Sequence, residues 1–197
     1  MEQIVRGSKI IYKLLSILFW IIVVASAVGL VLTLCQIFFF PPGTLVFHDT
    51  FLKLGNVELG VAEALVPQFT PGMYAVTLVT LLVGTGFSCY TVRLLQKIFA
   101  PMAEGRPFDG SVSKMLRKLA WVTLIFGIVS YGLSVLEESA IFRAFDLPSL
   151  LLSDKITSCR LSIVNNGDFP IFFALLLLLS HIFRYGEALQ QQSDETL

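Results

Sequence analysis

The chain has 197 residues, of which 55% are hydrophobic and only 14% charged, and its formal net charge is zero. A soluble domain carries about 25% charged residues, so this sequence is too poor in charge to coat a water-facing surface, whereas a bilayer solvates apolar side chains. The balanced charge offers no basis for direct nucleic-acid binding. Three widely spaced cysteines (Cys35, Cys89, Cys159) and two histidines (His48, His181) support neither a disulfide framework nor a metal site.

A helix needs about 20 apolar residues to cross a hydrocarbon core of about 30 Å. The first run, uncharged from Leu14 to Leu34 and apolar to Phe40, predicts a transmembrane helix over about 12–40. Its basic start (Arg6, Lys9, Lys13) and Ala25-Ser26-Ala27 also have the look of a cleavable signal peptide, but the apolar stretch continues well past that site. Residues 41–70 form a long loop. Within it, 44–48 and 56–61 have strand-like composition on either side of Gly55-Asn56.

Thr70-Pro71 reads as an N-cap followed by a first-turn proline. It opens a second helix over about 71–100, uncharged from Met73 to Val92. Pro101 and Gly105 are expected to stop it, Pro107 to stiffen the loop 101–110, and Phe108 to fold back on the helix ends. Asp109 or Ser111 caps the third helix, about 111–136, which is uncharged from Leu119 to Leu136. In the second long loop, 137–167, a short interfacial helix is expected within 137–152 and a strand at 160–164. Asp168-Phe169-Pro170 opens the last helix, about 168–188. The expected fold is an all-α, four-helix transmembrane bundle forming one domain, 1–197, with the two long loops pairing in a small extracytoplasmic β-structure.

Lysine and arginine placement sets orientation. Ten of the 14 cations fall in the N-terminal segment (Arg6, Lys9, Lys13), the segment between the second and third uncharged runs (Arg93, Lys97, Arg106, Lys114, Arg117, Lys118) and the tail (Arg184); Lys53, Arg143, Lys155 and Arg160 fall in the two long loops. This asymmetry places both termini in the cytoplasm and the long loops outside.

Small residues recur at helical spacing: Ala25, Gly29 and Thr33; Thr80, Gly84 and Ser88; Gly127, Ser130 and Ser134. Such faces let helices approach closely in lipid, so Gly29, Gly84, Ser88, Gly127 and Ser130 are candidate packing positions. Contact with a second copy of the chain, or a ligand groove, is the other use of such faces. No ionisable group sits in mid-span, which weighs against ion-coupled transport. His181, near the end of the last run, hydrogen-bonds a neighbour or interfacial water in the plain reading and relays protons in the sharper one. Cys159 reads as a free thiol or an intermolecular disulfide, and Cys35 and Cys89 as small apolar fillers. No nucleophile motif, phosphate loop or HExxH occurs, and no cofactor is implied. Lys114, Arg117 and Lys118 share one helical face; they serve either as an anchor on anionic lipid or as a docking surface for a protein with an acidic face.

Two segments carry a resemblance. Leu95–Ala120, containing Gly105-Arg106-Pro107-Phe108-Asp109 and then Met115-Leu116-Arg117-Lys118-Leu119-Ala120-Trp121, resembles the core of the bacterial family called domain of unknown function 2975. The stretch Ile182-Phe183-Arg184-Tyr185-Gly186-Glu187-Ala188-Leu189-Gln190, with Asp194-Glu195-Thr196, resembles that family's ending; His181 stands where the family often has Glu. The resemblance implies a four-helix protein of the bacterial inner membrane. Genes of that family often neighbour those of small helix-turn-helix regulators. It therefore implies a docking face built from Arg106, Pro107, Phe108, Asp109, Lys114, Arg117, Arg184, Gly186 and Leu189. The expected function is non-enzymatic and regulatory or sensory, with membrane lipids and a small cytoplasmic transcriptional regulator as partners. The alternative is a small-molecule or lipid transporter, or an accessory membrane subunit.

Overall fold

The computed structural model describes residues 2–39, 50–54, 57–61, 71–105, 109–144, 156–161 and 168–195. In chain order these form α1 (Glu2–Phe39), β1 (Thr50–Leu54), β2 (Val57–Val61), α2 (Pro71–Ala103), α3 (Gly110–Ala144), β3 (Ile156–Leu161) and α4 (Phe169–Glu195). All four helices contain a stretch long and apolar enough to cross a membrane: Val5–Phe39, Gly72–Ala103, Gly110–Ala140 and Phe169–Gln192. The first, of 35 residues, is about 52 Å long at about 1.5 Å per residue, more than a hydrocarbon core of about 30 Å requires. These are the helices of a multi-pass membrane protein.

The helix ends follow local chemistry. α1 runs unbroken through Ala25-Ser26-Ala27. α2 begins at Pro71, whose missing N–H costs nothing in a first turn. Contrary to expectation, Pro101 does not stop α2 but lies inside its last turns. Its missing N–H takes from the Lys97 carbonyl, four residues back, its donor in the helical ladder, a single bond lost within the last two turns rather than in mid-helix. The stop is Gly105, at φ 84°, whose N–H donates to the Met102 carbonyl (3.2 Å); a left-handed residue there favours glycine. Asp109 caps α3: its Oδ1 accepts from the Ser111 N–H (2.8 Å) and its carbonyl from the Val112 N–H (2.9 Å). The Asp168 carbonyl accepts from the N–H groups of Ile171 and Phe172, both at 3.1 Å, opening α4. Of the segment 137–152, within which a short interfacial helix is expected, residues 137–144 instead continue α3, and 145–152 lie outside the described residues. No Gly or Pro interrupts Glu137–Ala144, so nothing there ends the helix.

The contacts cluster into two compact units, and α1, α2 and α3 each contribute to both. The first comprises Met1–Ser26, Gly84–Ile128 and Gly167–Leu197. Its core joins Leu94 and Ile98 of α2 to Val112, Leu116 and Leu119 of α3, flanked by Leu176 and Phe183 of α4. Sequential helices touch. Gln96 Nε2 donates to Ser16 Oγ (3.2 Å), and the Arg93 guanidinium lies 4.7 Å from the Phe19 ring centre. The Phe87 and Phe126 rings are 5.0 Å apart, and those of Trp121 and Phe173 5.3 Å.

The second unit comprises Ala27–Val83 and Val129–Asn166. It holds a three-stranded antiparallel sheet of order β1-β2-β3. Thr50 pairs with Val61 and Leu54 with Val57, while Leu59 pairs with Cys159 and the register shifts between Gly60 and Val61. The expected strand at 44–48 lies outside the described residues. Of those expected at 56–61 and 160–164, 57–61 form β2 and 160–161 close β3, while 56 and 162–164 also lie outside the described residues; the strand Thr50–Leu54 and the start of β3 at Ile156 were not expected. Leu59 is buried, as is the Gly60 backbone beside it.

Candidate functional site

Three of the expected docking residues, Arg106, Pro107 and Phe108, lie outside the described residues. A fourth, Asp109, is committed to capping α3. Others converge within the first compact unit. α3 and α4 leave a cleft between them, with a cavity volume of about 490 Å³, and Lys114, Arg117, His181 and Arg184 line it. All four are exposed. Lys114 and Arg117 are three apart on α3, and His181 and Arg184 three apart on α4, so each pair occupies one face of its helix. Gly186 is half-buried and Leu189 exposed; neither lines the cleft.

Two features that the sequence left unmarked build this cleft. Ser180 Oγ donates to the Ser113 carbonyl across the α3–α4 contact (2.9 Å), and both serines are buried. Glu187 also lines the cleft. Its carboxylate lies against Gly110 at the start of α3, in the space a Cβ there would occupy. An anion is favoured at that end, where first-turn N–H groups lack helical acceptors and the helix dipole is positive. A serine directly after the leucine run Leu175–Leu179 and a glutamate one turn after Arg184 were the available signals. The partners they meet are distant in sequence. Trp121 and Leu177 supply the cleft's apolar wall.

A second, shallower groove of about 550 Å³ lies on the α2–α3 side. Tyr90, Trp121 and Val122 form its apolar wall, and Lys114, Arg117 and Lys118 its cationic rim.

The packing candidates divide. A Cβ on Gly127 would overlap the Phe169 side chain of α4, so this glycine permits a close approach. A Cβ on Gly29 would stand 3.4 Å from Leu81 Cδ1, which makes Gly29 a contact position of α1 with α2. Gly84 differs: among the described residues a Cβ there meets nothing within 4 Å, so no other described helix closes on it. Ser88 and Ser130 are half-buried. No disulfide joins Cys35, Cys89 or Cys159 within the chain, and Cys159 is exposed. Among the described residues no cluster of three or more His, Cys, Asp or Glu side chains is arranged to hold a metal ion.

Fold and site together define a multi-pass membrane protein with a cationic cleft between its third and fourth helices. Comparison with protein-family models, curated proteins and solved structures finds no match.

Proposed function

We propose that this chain is a non-enzymatic regulatory protein of a bacterial inner membrane, with both termini in the cytoplasm, whose α3–α4 cleft docks an acidic face of a small cytoplasmic transcriptional regulator. The observation that carries this reading is the convergence of Lys114, Arg117 and Arg184 on one cleft. These residues come from the two segments that resemble the membrane family described above. The ten cations that the topology assigns to the cytoplasm include all three, which supports a cleft accessible from that side. On this topology the sheet of β1, β2 and β3 faces outward, as the element that senses a stimulus.

The test is affinity purification of a tagged chain from native membranes in mild detergent, with mass spectrometry of what accompanies it. A small helix-turn-helix protein is expected in stoichiometric amount. The double charge reversal Arg117→Glu and Arg184→Glu is expected to lose it while membrane insertion persists. Retention of the partner by that variant would overturn the docking assignment.

A further inference from the structure

The α2–α3 groove has a character different from the cleft. Tyr90 and Trp121 are about half exposed, at 51% and 48%. With Val122 they make an apolar trough beside three cations, and no carboxylate is among the described residues lining it. Its depth follows from the sequence of α3. Lys114, Arg117 and Lys118 end where the uncharged run Leu119–Leu136 begins, so the cations fall at the level where hydrocarbon gives way to headgroups. Trp and Tyr favour the same level, with the ring body in the apolar layer and the polar edge near water. Helical spacing aligns the parts: Lys118 lies four residues after Lys114, and Trp121 and Val122 lie three and four residues after Lys118.

We infer that this groove is a binding site for an anionic phospholipid, the phosphodiester held by Lys114, Arg117 and Lys118 and an acyl chain lying along Tyr90, Trp121 and Val122. Charge complementarity selects the occupant. Three cations beside a trough open to hydrocarbon match a headgroup and chain that are covalently joined, whereas a soluble anion would use only the rim. Basic pockets between transmembrane helices on the cytoplasmic side are a known setting for such headgroups. The inference rests on the membrane reading alone; Lys114, Arg117 and Trp121 line both this groove and the α3–α4 cleft, but Lys118, Tyr90 and Val122 line only this groove, so changes at Lys118 and Val122 test lipid binding separately from regulator docking.

The experiment is native mass spectrometry of the purified full chain titrated with phosphatidylglycerol or with phosphatidylcholine of the same acyl chains. Wild type is expected to bind phosphatidylglycerol selectively. Lys118→Gln should weaken that binding about fivefold, the loss of one cation near an anionic phosphate. Val122→Trp fills the trough without changing charge, and should weaken binding of phosphatidylglycerol while leaving the cations in place. An unchanged thermal midpoint in both variants separates loss of the site from loss of the fold. Equal binding of the two lipids, or phosphatidylglycerol binding unaltered by Lys118→Gln in a folded variant, overturns the site. So does displacement of the lipid by millimolar inorganic phosphate, which would mark the cationic rim alone as the binding determinant.

Discussion

α1 and α3 are both long apolar helices, yet they bury very different shares of themselves. In α3, Val112, Ser113, Leu116, Leu119 and Ala120 are all buried within about three turns, and Val112 is 0% exposed. In α1, Ser8 is the buried residue among those described, while Trp20, Ile21, Val24 and Phe38 are more than half exposed. α1 is also the more apolar helix, with no charge from Leu14 to its end at Phe39. Greater hydrophobicity thus goes with less burial, the reverse of the rule in water. In a bilayer, lipid tails and leucines solvate a side chain equally well, so association depends on packing and hydrogen bonds rather than on removing apolar surface from solvent. α3 is central because its first three turns offer shapes that α2 and α4 fill. α1 needs only to suit the lipid.

The largest expected effect separates these two situations. Leu116→Ala removes side-chain atoms from the core formed with Leu94 and Ile98 and is expected to cost about 2–5 kcal/mol, as buried large-to-small changes do. Val24→Ala, on the exposed face of α1, is expected to cost less than about 0.5 kcal/mol, the range for surface substitutions. Reversible unfolding of the purified protein in mixed detergent micelles measures both. A large loss for Val24→Ala would break the comparison, by showing that a partner or second copy covers that face of α1.

Glycine provides a finer comparison. At Gly127 an added methyl must displace the Phe169 side chain at the start of α4, and Gly127→Ala is expected to destabilise by about 1–3 kcal/mol, the usual cost of overpacking. At Gly84 the space is open. Gly84→Ala is expected to be neutral or to stabilise by up to about 1 kcal/mol through helix propensity. The same unfolding measurement decides it, and a similar loss at both positions would refute the distinction.

These two glycines also mark how far the sequence could be read. Each sits in a stripe of small residues at helical spacing, and nothing local distinguishes them; the difference lies in whether Phe169, from another helix, arrives at the site. The four helices were legible because a membrane demands a minimum apolar length, and Asp109 and Pro71 announced helix starts through hydrogen-bonding and steric rules that act within one turn. Pro101 misled because a helix tolerates a missing donor close to its own end. The cleft was half legible. Lys114, Arg117 and Arg184 drew notice through charge and resemblance, whereas Ser180 and Glu187 matter through Ser113 and Gly110, contacts made only once α3 and α4 pack.

The smallest expected effect tests whether the α3–α4 contact is more tightly specified than α1–α2. A side-chain hydrogen bond crosses each: Ser180 Oγ to the Ser113 carbonyl, and Gln96 Nε2 to Ser16 Oγ. Ser180 is buried, whereas Ser16 is only half-buried and its hydroxyl also donates to the Tyr12 carbonyl. Ser180→Ala is expected to cost about 0.6 kcal/mol, the average for interhelical hydrogen bonds in a membrane protein, and at most about 1.7. It leaves no orphan, because the Ser113 carbonyl keeps its place in the helical ladder of α3. Ser16→Ala is expected to cost less, since water or a headgroup replaces the lost acceptor for Gln96. If the order were reversed, α1 would be held as firmly as α4, and its exposed face could not be explained by loose packing against α2. Paired unfolding curves for the two single variants and their double would settle the order, with additive losses expected for sites that share no partner.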